Sequence, residues 1–254
     1  MRSYAPVARG IRQIWSESSG DGARLQSIEM ADTLYLSLWY PNLRLAGLAE
    51  KLTAVLGAFS KHGGEARVYS ATVWPVNWSE SPIFQKVFGR GERGLEPKLA
   101  VEDALELLHE DYAYEFQIGW SLWEPEVPEG TEAGGSAPLR FAQDEGSGGD
   151  VVPQIRWARE QRMVRVTGYG PLFDEGTYEQ DGHIRIDFGS DAAFLDEEIE
   201  LDSVAARHVE ENVRQLIELT GAVEKDSGAT ARLLWSELGE SLAQRLAARL
   251  GMAN

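Results

Sequence analysis

The chain has 254 residues, 41 of them acidic against 24 lysines and arginines, for a formal charge of −17 at pH 7, and it holds no cysteine and only four histidines. Disulfides, thiolate metal centres and thiol nucleophiles are therefore excluded, and the summed negative field repels phosphate backbones and anionic headgroups, so neither nucleic acid nor membrane is an expected partner. Hydrophobic residues at 43% and charged residues at 26% give the composition of a globular protein with a real core.

In chain order, residues 1–30 mix glycine, serine and charge and read as an N-terminal extension without the apolar run of a secretory signal. No stretch approaches the roughly 18 apolar residues of a membrane span, and a cytoplasmic setting is the expectation. The first clear strand begins at Thr33, where Leu34, Leu36, Leu38 and Tyr40 alternate with Tyr35, Ser37 and Trp39. Leu45, Leu48, Leu52, Val55, Leu56 and Phe59 then recur at spacings of three and four, which predicts a helix over about 43–60 lying on a sheet, stopped by His62-Gly63-Gly64. A second strand is expected from about Ala66 to Val76, with Pro75 marking an edge or an end. Pro97 opens a short helix through Leu99, Val101, Ala104, Leu105 and Leu108. The plainest strand follows, with Tyr112, Tyr114, Phe116, Ile118, Trp120 and Leu122 alternating against Ala113, Glu115, Gln117, Gly119 and Ser121. Residues 31–124 thus read as a β-α-β-α-β unit.

Residues 125–153 turn to Pro, Gly, Glu, Ser and Ala, a long loop or linker. Over 154–254 the pattern predicts a β-meander followed by two helices, on a chain that either continues the first unit or splits from it. Strands are expected at Gln154–Ala158, Met163–Tyr169, Phe173–Tyr178 and His183–Phe188, with Asp181-Gly182 as a hairpin turn. The helices are expected near Ser203 to Thr220 and Thr230 to Leu250, separated by Gly221. The fold class is α+β: a mixed, largely antiparallel sheet with amphipathic helices mainly on one face.

Motifs for chemistry are sparse. Gly89-Arg90-Gly91-Glu92-Arg93-Gly94 spells G-x-G-x-x-G, but Pro97 intervenes before the helix and no acidic residue follows a second strand at the right distance, so a loop is the better reading. His62, His109, His183 and His208 are widely scattered without an H-E-x-x-H pair, and the acidic run from Asp196 to Asp202 lacks the glycine of a calcium loop; no metal or cofactor is expected. No G-x-S-x-G elbow occurs, and no catalytic residue is assigned. An enzyme is accordingly the less favoured class.

Two classes of function follow. The favoured one is a non-catalytic acidic protein that binds a basic protein partner, as an immunity protein, inhibitor or adaptor would. Trp78 and Trp123 at strand ends would serve as anchors, and Asp196, Glu197, Glu198 and Glu200 would supply charge. The alternative is a small-molecule-binding protein or hydrolase-like enzyme using Arg165, His183, Arg185 and Asp187, which alternation places on one polar sheet face. Exposed strand edges add the expectation of a homodimer.

Overall fold

The computed structural model describes residues 32–61, 66–89, 94–126, 156–195, 203–237 and 242–251. The N-terminal extension, the stretch 127–153, the middle of the G-x-G-x-x-G sequence and the acidic run 196–202 lie outside the described residues.

In chain order the elements are β1 (Thr33–Trp39), α1 (Leu48–Ala58), β2 (Val68–Pro75), β3 (Phe84–Val87), α2 (Pro97–Ala104) and β4 (Tyr112–Pro125). They continue with β5 (Trp157–Tyr169), α3 (Thr177–Gln180), β6 (Ile184–Ser190), α4 (Ala192–Leu195), α5 (Ser203–Ser227), β7 (Ala231–Ser236) and α6 (Leu242–Gly251). The fold is α+β. Its seven strands form one sheet in the order β3-β2-β4-β5-β6-β1-β7, and every pair of neighbours runs antiparallel. Strands from both sides of the glycine-rich stretch interleave in it, since β1 lies between β6 and β7.

One face of the sheet makes the core because alternate residues of each strand are apolar. Leu34, Leu36 and Leu38 join Phe116, Ile118, Trp120, Val164, Val166, Ile184, Ile186 and Phe188 beneath Leu48, Leu52, Val55 and Leu56 of α1 and Val213, Leu216 and Leu219 of α5. Helix α1 comes close at Gly168, where an added Cβ would stand 3.0 Å from the Leu52 methyls. A larger residue there would push α1 off the sheet.

Several elements differ from expectation. The two strands expected at Gln154–Ala158 and Met163–Tyr169 are joined: Trp157 and Ala158 begin the same strand as Met163–Tyr169, because β5 pairs with β4 along its whole length from Trp157 to Tyr169 and carries the polar run Arg159-Glu160-Gln161-Arg162 with it, while residues 154–155 lie outside the described residues. Phe173–Tyr178 is a turn leading into the short helix α3, since Asp174 (φ 43°) and Gly176 (φ 104°) break any extension. Asp181-Gly182 therefore joins α3 to β6 instead of closing a hairpin. Helix α5 runs through Gly221 to Ser227 and stops at Gly228 (φ 71°), because Val223 and Ser227 are still buried beyond the glycine. The expected last helix is β7 followed by α6; Leu234 and Trp235 pair with Leu36 and Tyr35, and that strand partner outweighs a helical apolar spacing. The edge strand β3 was not anticipated, and Pro75 ends β2, which is internal.

Candidate functional site

The face of the sheet away from the helix-covered core is built of two continuous rows. Registers place Thr72, Glu115, Thr167, Arg185 and Ser37 side by side across five strands, and Ser70, Gln117, Arg165, Asp187, Tyr35 and Trp235 across six. Three of the expected ligand residues thus come together. Arg165 stands between Glu115 (3.7 Å) and Asp187 (3.8 Å), while Arg185 pairs with Asp181 and lies over the rings of Tyr35 and Tyr169. Charges in this row compensate one another. Burial raises the Glu115 carboxyl above its ordinary range despite the opposing pull of Arg165, and desolvation pushes the Tyr35 phenol up to about 12.

The Glu115 shift has a testable sign. A carboxyl whose pKa is raised on folding destabilises the fold once ionised, so the loss sets in as pH rises through the ordinary value of 4.5 and is complete above the raised one. Glu115→Gln should therefore be more stable than wild type at pH 7 and converge with it in acid, as read from urea midpoints across pH. A less stable variant at pH 7 would mean that Arg165 attracts the carboxylate more than burial penalises it.

His183 belongs to a different environment. Its Nδ1 accepts the Tyr40 backbone N–H at 3.0 Å, and its ring stacks on Tyr178 at 4.1 Å, so it closes the start of β6 against the end of β1. Desolvation lowers its pKa, consistent with a neutral acceptor.

At one end of the sheet three connections, 75–83, 107–112 and 170–181, are clipped together by backbone bonds. Val76 N–H donates to the Asp111 carbonyl (2.7 Å), Asp174 N–H to the Val76 carbonyl (2.8 Å) and Leu172 N–H to the Glu110 carbonyl (2.9 Å). These connections carry Glu80, Glu110, Asp111, Asp174, Glu175, Glu179 and Asp181 and not one lysine or arginine. They also carry Val76 (52% exposed), Trp78 (36%) and Leu172 (60%), with Ile83, Leu107 and Leu108 exposed as well. Trp78 is seated edge-on against Phe173 (5.0 Å between centroids), Trp74 (5.7 Å) and Tyr169 (6.2 Å), a small aromatic cluster on the polar face that holds its ring in one orientation. The result is an apolar tip whose own connections supply acidic side chains, one of them, Asp181, paired with Arg185 of β6.

The backbone of this tip is strained. Val76 has φ 58°, a left-handed conformation that costs a β-branched residue about 1–2 kcal/mol. Val76→Gly should stabilise the fold by about 1 kcal/mol after the entropy of an extra glycine is deducted. Chemical denaturation would read this directly; a destabilised variant would mean that the half-exposed side chain packs for more than its strain costs.

Trp123, the other expected anchor, is held at the opposite end of β4. Its indole N–H donates to Glu211 at 2.9 Å, its ring lies 4.0 Å from His208, and the Arg159 guanidinium covers it at 4.9 Å. The two tryptophans are thus on the order of 30 Å apart along β4. Beside Trp123 an open groove of about 540 Å³ is lined by Lys61, Ser121, Arg159, Glu211, Arg214, Gln215 and Glu218; all three cations have acid partners, Asp226, Glu211 and Glu210. Asp196, Glu197, Glu198 and Glu200 lie outside the described residues. Sequence reasoning missed Val76 and Leu172. The available signal was that three separate connections each lack lysine and arginine.

Among the described residues no group of three or more carboxylates and imidazoles is placed to hold a metal ion, and no helix is long and apolar enough to cross a membrane. No family model, curated protein or solved structure matches this chain.

Proposed function

We propose that this is a non-catalytic binding protein that captures a basic protein partner on the tip formed by residues 75–83, 107–112 and 170–181. The observation that carries the reading is the coincidence of exposed Val76, Trp78 and Leu172 with connections that carry seven carboxylates and no lysine or arginine of their own, one of the seven, Asp181, being paired with Arg185 of β6. Exposed apolar groups gathered at one site mark an interface, and an excess of one charge sign around them steers an oppositely charged partner and speeds encounter. Trp78 is a ready anchor because the rings behind it already restrict its rotamers, so little side-chain entropy remains to be lost on binding. An immunity protein or inhibitor that masks a cationic domain has this physical character, and a cytoplasmic setting belongs to the same reading.

The test is affinity capture from native lysate at low salt, with wild type and two tip variants as bait. A stoichiometric basic protein should be retained by wild type and released at high salt. Trp78→Ala should weaken the complex by about 2 kcal/mol, roughly thirty-fold. Leu172→Ser, at a residue with little packing to lose, controls for misfolding and should weaken it too. A basic protein that both variants bind as tightly as wild type would defeat the assignment of the tip.

A second reading places a small polar ligand on the sheet face. It is favoured by the meeting of Arg165, Asp187 and Glu115, and by the buried Tyr169 hydroxyl nearby, which has no hydrogen-bond partner among the described residues. Arg165→Ala should then abolish any ligand-induced rise in Tm without unfolding the protein.

A further inference from the structure

We infer that β7 is a pairing edge for a second copy of this chain, joined antiparallel about a two-fold axis at Leu233. Four strand edges exist among the described residues. One, on β5 before Arg165, where β6 no longer pairs, carries the polar, charged run Arg159-Glu160-Gln161-Arg162, and Arg162 donates there to the Ser190 carbonyl at 2.6 Å. That of β4 beyond Gly119, where β2 ends, is occupied by the Asn212 side chain, which bonds both backbone groups of Trp123. The β3 edge is four residues long and carries Lys86. By contrast β7 is six residues long, its first three residues are exposed, and no described residue bonds its outer side. Edge strands are ordinarily blunted by charge, shortness or cover; β7 is neither short nor covered along its outer side, its one charge, Arg232, is held by Glu224, and Leu233 is 53% exposed in its middle.

The strand is also complementary to itself. A two-fold axis normal to the sheet keeps each side chain on its own face, so an axis at Leu233 pairs Ala231 with Trp235 and Arg232 with Leu234. The smallest side chain then meets the largest, and leucine meets leucine. The Trp235 ring is already fixed by stacking on Tyr35 at 4.6 Å and by its N–H bond to Ser37 at 3.1 Å. Arg232, the strand's one charge, is tied to Glu224 at 3.1 Å, so no like charges oppose each other across the axis. A foreign strand would need the same small-against-large order and the same neutrality, which a second copy supplies without further assumption.

Two bodies of charge −17 repel at long range, so the dimer should tighten as salt rises, opposite to the tip complex, and the two assignments can fail separately. The test is sedimentation velocity of the full chain over a wide concentration range at low and high salt. Wild type should reach the dimer mass with a dissociation constant that falls on adding salt. Leu233→Lys should weaken the dimer at least about tenfold with an unchanged circular dichroism melt, while Leu233→Thr, a strand former, should retain it. A monomer at every salt and concentration, a dimer indifferent to Leu233→Lys, or a different protein bound through β7 would each overturn the assignment.

Discussion

Trp120→Ala should lower the unfolding free energy by about 3–5 kcal/mol, a third or more of the stability of an ordinary domain. Among the described residues Trp120 is the largest fully buried side chain, and three elements close on it. Phe59 from the turn after α1 meets it edge-on at 6.2 Å, Phe188 of β6 lies at 5.5 Å, and Phe194 of α4 stacks at 5.8 Å. Truncation removes the contact that joins helix ends to the middle of the sheet, and the rings around it come from separate elements that cannot all move in together. The indole N–H has no hydrogen-bond partner among the described residues, so Trp120→Phe loses volume but also a buried unpaired donor, and should recover most of the loss. Urea unfolding should show the shift in midpoint at constant slope. A loss under about 1.5 kcal/mol for the alanine variant would mean that the site collapses around the truncation.

The core around Trp120 was legible because local patterning and burial agree there. Tyr114, Phe116, Ile118, Trp120 and Leu122 alternate without interruption, and all are buried on one face. The leucine stripe of α1 was equally plain. Strand β7 was hidden because Leu234, Trp235, Leu238 and Leu242 are spaced as a helix spaces them, and only pairing with β1, some two hundred residues earlier, decides otherwise. The start of β5 was hidden by its polarity. Arg159 to Arg162 are extended because β4 offers a partner there. For the tip, Trp78 could be singled out from its place at a strand end, but its companions could not. Val76, Glu110 and Leu172 are far apart in the chain and meet because β2, β4 and β5 are neighbours whose ends coincide. Strand order is a property of long-range pairing, and periodicity does not contain it. The same holds for Arg165 and Arg185, which alternation assigned to one face, while their meeting with Glu115 required the register.

Asn212→Ala should cost about 2–4 kcal/mol, a large effect for the loss of one polar side chain. Asn212 is fully buried on α5 and acts as a substitute strand. Its Oδ1 accepts the Trp123 N–H at 2.9 Å, and its Nδ2 donates to the Trp123 carbonyl at 2.8 Å and to the Ala193 carbonyl at 2.9 Å. One amide therefore satisfies the outward backbone groups of β4 where β2 no longer reaches, and ties α4 to the same point. Alanine leaves a donor and two acceptors buried without partners, and leucine, though it fills the space, leaves the same three. Asn212→Asp is the sharper probe. At neutral pH its carboxylate keeps the bond from the Trp123 N–H but faces two carbonyls, so it should be at least as damaging as alanine. In acid the protonated carboxyl can donate to one of them, and the variant should regain stability relative to Asn212→Ala as pH falls. Amide exchange of Trp123 should accelerate in the alanine and leucine variants and stay slower in Asn212→Asp, which keeps an acceptor for that N–H. If exchange there stayed at the wild-type rate in Asn212→Ala, the helix would be shielding the edge by cover alone, and the amide would not be its hydrogen-bonding partner.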